Sequence, residues 1–214
     1  MSQINAKYIT HMGDDLTPVN AARISFGSAK EKLDEKDKKL LKYLAKHKHY
    51  SPFEHCSATF VISCPLYIRS QIMRHRTFAY NEISRRYTSK DLEFYLPKAG
   101  DFREQSSDNK QASEGTVGES EIALNTLFQR VHGNCLQAYN TAINNGLCRE
   151  QARGLLPQNL MTEFYMTGNL RNWAHFLKLR LGKDSQKEVQ YIAKDIQEGL
   201  ADKFSESFKV LMDY

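Results

Sequence analysis

Between residues 74 and 87 the chain reads RHRTFAYNEISRRY, with four arginines, one histidine and one glutamate in fourteen positions. The stretch follows directly on an apolar run, ATFVISCPLYIRSQIM (58–73). Guanidinium groups are permanently charged planar forks that grip phosphate or carboxylate through two parallel hydrogen bonds. Five of the twelve arginines lie between Arg69 and Arg86, and Arg149, Arg153, Arg171 and Arg180 fall in the last third of the chain. Three readings fit such a cluster: a site for a small anionic ligand, a surface ion-pair network with Glu82, Asp91 and Glu93, or a nucleic-acid patch. An ordinary basic patch carries more lysine and less apolar context, but composition alone does not separate the three.

Three further constellations bear on chemistry. In GLCREQARGLLP, Arg149 and Arg153 are four apart and share a helix face, as a phosphate clamp or as a solvated pair bridged to Glu150. In GNLRNWAHFLKLR, Arg171 and His175 share one face, while Leu170, Trp173 and Leu177 form an apolar stripe that reads as core. Arg180 lies nine residues beyond Arg171, about half a turn away in direction, so it faces elsewhere, follows the end of the helix or serves a different site. In HKHYSPFEH (47–55) three histidines and a glutamate invite a metal. The spacing is not that of HExxH, Pro52 interrupts any shared helix face, and Lys46 and Lys48 flank His47, so no metal site is expected. Neither GxGxxG nor GxxxxGK[ST] occurs, nor a GxSxG elbow. A nucleotide bound here would rest on arginine forks and backbone amides.

The elements that must position these residues follow from pattern. Residues 4–10 suit a first strand. TPVNAARISFG starts a helix with Thr17 as N-cap and Pro18 in the first turn. LDEKDKKLLKYLAKHKHYSP is a helix, with Leu33, Leu40, Leu41 and Leu44 at helical spacing and Ser51-Pro52 just past its end. CSATFVISC reads as a buried strand. Pro65 opens a short helix, LYIRSQIMRHR, while FAYNEISRRYTS keeps no period and reads as a loop. LEFYLP is expected as a strand, and residues 98–119, rich in Gly, Ser, Asp and Asn, as an exposed loop. Apolar positions 124, 127, 128, 131, 135, 138 and 139 mark a long amphipathic helix from about Glu119 to Asn144. A helix ending at Pro157, a strand LMTEFYMTG, a helix NLRNWAHFLKLRL and a closing helix over 185–212 complete the chain.

The totals suit one compact domain over 1–214 with an exposed insertion. A net charge of +5 permits an anionic partner without demanding a nucleic acid. Lysines crowd the segment from Lys30 to Lys48 and, mixed there with Asp and Glu, read as a solvated helix face. Cys56, Cys64, Cys135 and Cys148 form no CxxC pair, and MSQINAKYITHM lacks the apolar core of a secretory leader, so reduced thiols in a cytoplasm are expected. No apolar stretch approaches the length of a membrane helix.

Arg74-His75-Arg76, seven residues, then Ser84 matches the RHR-x7-S signature of the flavin-dependent thymidylate synthases. SPFEH, QIMRHR, YNEISRRY, REQARGLLP and NLRNWAHFLKLR also resemble that family's blocks, in the family's order, and AARISFG fits near the start. The resemblance covers about residues 20 to 180. It implies reductive methylation of dUMP to dTMP, with methylenetetrahydrofolate giving the carbon, reduced FAD the hydride and NADPH re-reducing the flavin. It implies an α/β (α+β) fold, a central mixed sheet flanked by long helices, and a homotetramer with active sites shared between subunits. No nucleic-acid or membrane partner is implied. By position, Ser51, Arg74, His75, Arg76, Glu82, Asn169, Leu170, Arg171 and His175 resemble the FAD-contacting residues. Gln71, Arg74, Glu82, Ile83, Ser84, Arg85, Arg86, Arg153 and Arg180 resemble the dUMP contacts, with the loop residues reaching a neighbouring subunit's nucleotide. The family analogy makes Arg180 the catalytic cation that draws negative charge onto N3 and O2 of uracil. Ser84 lacks an assured base and is ranked as a binding residue. Where the family commonly carries a small residue this chain has Arg85, whose guanidinium adds a candidate phosphate contact. The family's independence of a cysteine nucleophile agrees with the absence of an activated cysteine setting here.

Overall fold

The computed structural model describes residues 4–214. The first strand, β1 (Asn5–Met12), leads into α1 (Leu16–Arg23). Thr17 is not the cap of α1: it lies inside the helix, and Asp14 accepts from the backbone N–H groups of Leu16 (3.0 Å) and Thr17 (2.9 Å). Asp14 Oδ1 takes both orphan donors, and also the Thr17 hydroxyl at 3.0 Å, so Thr17 is itself held by the capping carboxylate. Helix α2 (Glu35–Lys46) opens with a capping box in which the Asp34 side chain accepts from Asp37 N–H and the Asp37 side chain accepts from Asp34 N–H. Asp37 is buried and also meets Arg23 at 2.6 Å and Lys30 at 2.8 Å, which ties α1, α2 and the loop between them. Burial opposes its ionisation, yet the hydrogen bonds from Lys30 and Arg23 outweigh that and hold the carboxyl well below the usual range. At its other end α2 closes through His49 N–H to Leu44 O (2.9 Å) and Lys48 N–H to Ala45 O (3.1 Å), with Lys48 left-handed at φ 59°.

After a 3-10 turn, Ser51–His55, come β2 (Ser57–Pro65), α3 (Leu66–Ile72) and β3 (Ala79–Glu82). A small hairpin, β4 (Glu104–Gln105) and β5 (Ser113–Glu114), precedes α4 (Glu121–Asn144) and α5 (Arg149–Ala152). Strand β6 (Met161–Asn169) runs directly into α6 (Leu170–Arg180), followed by α7 (Lys187–Lys203) and α8 (Ser205–Asp213).

The main sheet has the order β1-β2-β6-β3, and every pairing is antiparallel. The expectation of a mixed sheet is therefore corrected. The excursion through α1 and α2 leaves the sheet at Met12 and re-enters it opposite Met12, at Ser57, so β2 must run back along β1. Parallel neighbours need a crossover to the opposite end of the sheet, and no neighbouring pair here has one. The fold is one α+β domain around one core. Ala58, Phe60, Ile62, Phe164 and Met166 pack beneath Trp173, Phe176, Ile192, Ile196 and Leu211 of α6, α7 and α8.

Four further expectations change. Residues 79–82, read as loop, form the edge strand β3 because Ala79–Glu82 pair with Phe164–Thr167; a four-residue strand is too short to show its period. LEFYLP keeps only an isolated bridge, Phe94 to Leu160. The closing helix breaks at Phe204, whose backbone leaves helical geometry (φ −135°, ψ 56°) while its side chain is buried. Strand β2 is buried on one face only, since its burial alternates residue by residue. Residues 98–119 are mostly exposed, but Phe102 is buried and Arg103 grips Glu188 at 2.8 and 2.9 Å, which anchors the segment to α7. The long helix α4 buries only Tyr139; Phe128 packs on the buried Phe102, while Leu127 and Val131 are each 41% exposed, so one edge of its apolar stripe is open. Among the described residues no helix is long and apolar enough to cross a membrane.

Candidate active site

The signature residues lie on the turn that links α3 to β3. Phe78 wedges this turn onto the sheet: its ring packs 4.6 Å from Trp173, and it lies where a side chain on residue 168 would stand. A Cβ at Gly168 would fall 2.4 Å from two Phe78 ring carbons. Tyr80 fixes the turn from the other side, donating through Oη to His75 O (2.8 Å) and Ile72 O (3.2 Å).

Across a cleft of about 570 Å³ stands the C-terminal half of α6. The cleft is lined by Arg74, His75, Arg76, His175, Lys178 and Arg180, and by the turn after α6 that includes Asp184 and Ser185. Arg180 donates through Nε to His75 Nε2 (3.0 Å) and through Nη2 to Gln71 O (3.1 Å). The Gln71 side chain in turn bonds that of Gln186. Accepting through Nε2 requires a neutral imidazole with its proton on Nδ1. Burial, then the Arg180 charge and His175, push His75 down to about 4, so it is neutral at physiological pH. Burial also lowers Arg180, but a guanidinium retains its charge throughout the working range. Among the described residues no carboxylate pairs with Arg180, although Asp184 lines the same cleft. Arg74 and Arg76 are exposed and likewise unpaired among the described residues.

The remaining FAD candidates lie along α6 toward its start. The Asn169 side chain caps α6 by accepting from Asn172 N–H (2.9 Å), and Asn172 Nδ2 donates to Thr77 O (3.0 Å). Arg171 pairs with Glu54 (2.5 Å) and sits 5.0 Å from the centre of the Tyr50 ring, beside Ser51. Leu170 is buried and its N–H donates to Cys56 O (2.9 Å), so it packs the strand–helix junction. Tyr50 and Gln186 were not singled out from sequence, and Glu54 was weighed only as a metal ligand. Glu54 was legible within the SPFEH block, whereas Gln186 has no local signal.

The nucleotide-loop candidates form a second cluster. Glu82 accepts three hydrogen bonds from Arg69 (2.6–3.0 Å) and one from Thr162 (2.7 Å), which makes it a brace for β3. Ile83 N–H donates to Glu163 O (3.0 Å), and Ser84 Oγ accepts from Arg86 N–H (3.3 Å). Arg86 pairs with Glu150 (3.0 Å), and Arg153 donates to Glu150 O (3.3 Å), so Ser84, Arg86 and Arg153 belong together. Arg85 turns inward instead, donating to Lys90 O (2.5 Å), Asp91 O (3.2 Å) and Met161 O (3.4 Å). Its fork closes its own loop.

The two clusters are held by different partners, Arg180 by His75 and Gln71, and Arg86 and Arg153 by Glu150. Among the described residues no hydrogen bond or ion pair joins Arg180 to Arg153, both carried over as contacts to one nucleotide. Neither buried thiol is activated: burial pushes Cys56 up to about 12 and Cys64 higher still.

The family model described as Thymidylate synthase complementing protein matches residues 7–204. The chain belongs to the flavin-dependent thymidylate synthases. It is 42% identical over 192 residues to a flavin-dependent thymidylate synthase of Thermus thermophilus, covering 90% of this chain and 69% of that one. Against the Thermotoga neapolitana enzyme of the same description the identity is 35% over 206 residues, covering 95% and 88%. Among solved structures, the UMP/dUMP methylase PolB from Streptomyces cacaoi bound with 5-Br dUMP superposes with a TM-score of 0.89 at 27% identity, covering 100% of this chain and 96% of that chain. Within the family the RHR turn and α6 are thus the parts of this chain that converge on one cleft.

Proposed function

We propose that the chain methylates dUMP reductively to dTMP, with methylenetetrahydrofolate as carbon donor, NADPH as reductant and FAD as bound cofactor. The observation that carries this reading is the Arg180 guanidinium, paired with no carboxylate among the described residues and held between His75 Nε2 and Gln71 O at the RHR turn. The residues present fit FAD: Arg74 and Arg76 offer two unpaired forks to a pyrophosphate, and His75 and His175 offer flat partners for a ring. FAD, when bound, supplies the hydride chemistry that no amino-acid side chain provides.

The chain's own residues bind and polarise. Arg180 uses Nε and one Nη2 proton within the protein, leaving Nη1 to face a pyrimidine. Negative charge that develops on O2 and N3 of uracil as C5 becomes nucleophilic is stabilised by that fixed cation in a partly desolvated cleft. Neutral His75 orients Arg180 without competing for its charge. Ser84, Arg86 and Arg153 supply hydrogen bonds and positive charge for the 5′-phosphate.

The same reading places a second copy of the chain across the site. The absence of any bond between Arg180 and Arg153 among the described residues, and the open edge of α4 at Leu127 and Val131, support a homotetramer in which one copy brings the RHR cleft and another the Ser84 loop. An exposed, unpaired Cys148 supports residence in the reducing cytoplasm.

The test is dTMP formation from dUMP, methylenetetrahydrofolate, NADPH and FAD, with UMP as a parallel acceptor. Failure of the purified flavin-loaded protein to form dTMP overturns the reading; methylation of UMP alone assigns the chain to a different pyrimidine substrate.

A further inference from the structure

We infer that the exposed face at the end of α2 is a docking ledge for the oligo-γ-glutamate tail of the folate cosubstrate. This rests on the folate-dependent reading above. Lys36, Lys39, Lys42 and Lys46 lie on one side of α2 at spacings of three and four residues, and Lys48 follows the helix. All five are exposed, and among the described residues none pairs with a carboxylate. Lys30 and Lys38, by contrast, are paired with Asp34, Asp37, Glu35 and Glu206. A solvated lysine face normally interleaves acids one turn away. Here Glu35 lies within a turn of Lys36 and Lys39, but residues 38–53 then carry five lysines and two histidines and not one Asp or Glu. The helix dipole accounts for a cation at Lys46, but not for Lys39 or Lys42, nor for Lys48 beyond the last turn.

Lys48 is the second, independent observation. It occupies the left-handed position after the helix at φ 59°, where glycine carries no steric cost and a side chain does. A lysine held there places an ammonium group on the ledge at the expense of local stability, as strained residues at ligand sites do.

Along the chain the ledge leads to the flavin end of the proposed site: His49 is followed by Tyr50, whose ring lies 5.0 Å from the Arg171 guanidinium, and by Ser51. From Arg171 helix α6 runs nine residues to Arg180, about 13 Å. On this proposal a cosubstrate that reacts in the RHR cleft extends its tail along α6 toward α2. Folates carry a chain of γ-linked glutamates with one carboxylate per unit, and the lysines recur along α2 every ~4.5–6 Å. The match is one of charge and linear spacing.

The experiment uses the FAD-loaded enzyme and compares methylenetetrahydrofolate monoglutamate with the pentaglutamate. Exposed ion pairs are individually weak, so the three nearest lysines together predict a KM roughly tenfold lower for the pentaglutamate. In a Lys42→Gln/Lys46→Gln/Lys48→Gln variant the two KM values converge to within about twofold, as they do for the wild type in about 0.5 M salt. The variant's kcat, its KM for the monoglutamate and its FAD content stay unchanged, and the triple Lys→Arg variant keeps the preference. Lys48→Gly raises the melting temperature while narrowing the preference, two changes that a merely structural lysine would not combine. Equal KM values for both folates in the wild type overturn the proposal, as does a variant effect confined to NADPH or FAD. If no folate supports dTMP formation, the functional reading fails separately. The ledge then stands on direct titration with free penta-γ-glutamate: binding by the wild type that is lost in the triple Gln variant upholds it, and no binding ends it.

Discussion

Replacing Arg180 by Gln removes a full charge that no carboxylate pairs among the described residues, while leaving an amide nitrogen near the place of Nε, able to donate to His75 Nε2. The loss of one such preorganised contact to developing charge is worth about 10²–10³ in kcat, or about 2.7–4 kcal/mol. Because the interaction strengthens in the transition state, KM for dUMP changes little. The same substitution acts on His75. The Arg180 charge is one of the causes that hold His75 down to about 4, so its removal lets the imidazole rise toward its ordinary value, with burial still holding it below. A protonated His75 then partly replaces the lost cation. The kcat of the variant therefore climbs as pH falls from about 8 to 6, whereas the wild type, with His75 neutral and Arg180 charged throughout, draws no such gain from these two groups. The assay is single-turnover dTMP formation across that range, with the His75 ring proton followed by NMR in both proteins. Arg153→Ala is the control and acts through KM for dUMP. If Arg180→Gln raises KM and leaves kcat intact, Arg180 is a second binding arginine and the polarisation argument is wrong.

Asp37→Asn removes the shared partner of Arg23 and Lys30. The wild-type carboxyl is depressed in the folded state, so its contribution is complete above the ordinary carboxylate range and fades as pH drops through the lower folded value. The variant accordingly melts at least roughly 5 °C lower at neutral pH and shows a shallower loss of stability in acid, measured by calorimetry. Gly168→Ala drives a methyl into the Phe78 ring and costs about 1–3 kcal/mol; the displaced RHR turn also retains less FAD after gel filtration, and a variant with full stability and full flavin would remove Phe78 as the wedge. Replacing Cys56, Cys64, Cys135 and Cys148 together by Ala or Ser lowers stability by loss of packing but preserves turnover per folded molecule. A single thiol whose loss abolishes turnover in a well-folded protein would refute the thiol-independent site.

Legibility from sequence followed the range of the interaction. Helices α2, α4 and α6 and strands β2 and β6 were readable because each carries its own period and end signals over eight or more residues. β3 was missed because a four-residue edge strand exists only through Phe164–Thr167, which lie more than eighty positions away. The direction of the sheet's pairings was missed because a strand pattern states which face is buried and says nothing of which end a neighbour enters. The Arg180–His75 contact was half legible: the half-turn offset separates Arg180 from Arg171, but only the tertiary fold shows that it turns onto the RHR turn. The fate of Arg85 was not legible, since arginine offers the same fork to a phosphate and to carbonyl oxygens, here two of its own loop and one of β6.

The proposed division of the site between the RHR cleft of one copy and the Ser84 loop of another bears on gene dosage. On the proposed reading a solitary chain is an incomplete catalyst, so specific activity falls on dilution below the dissociation constant of the assembly instead of staying constant. Two chains crippled at different ends are then able to rescue each other. Mixing an Arg180→Gln protein with an Arg153→Ala protein, followed by subunit exchange, rebuilds sites that join an intact cleft from one parent to an intact loop from the other. Random pairing makes about a quarter of all sites whole again. A population of two defective alleles would regain growth that neither supports alone, and a surplus of one defective chain would poison a sound one.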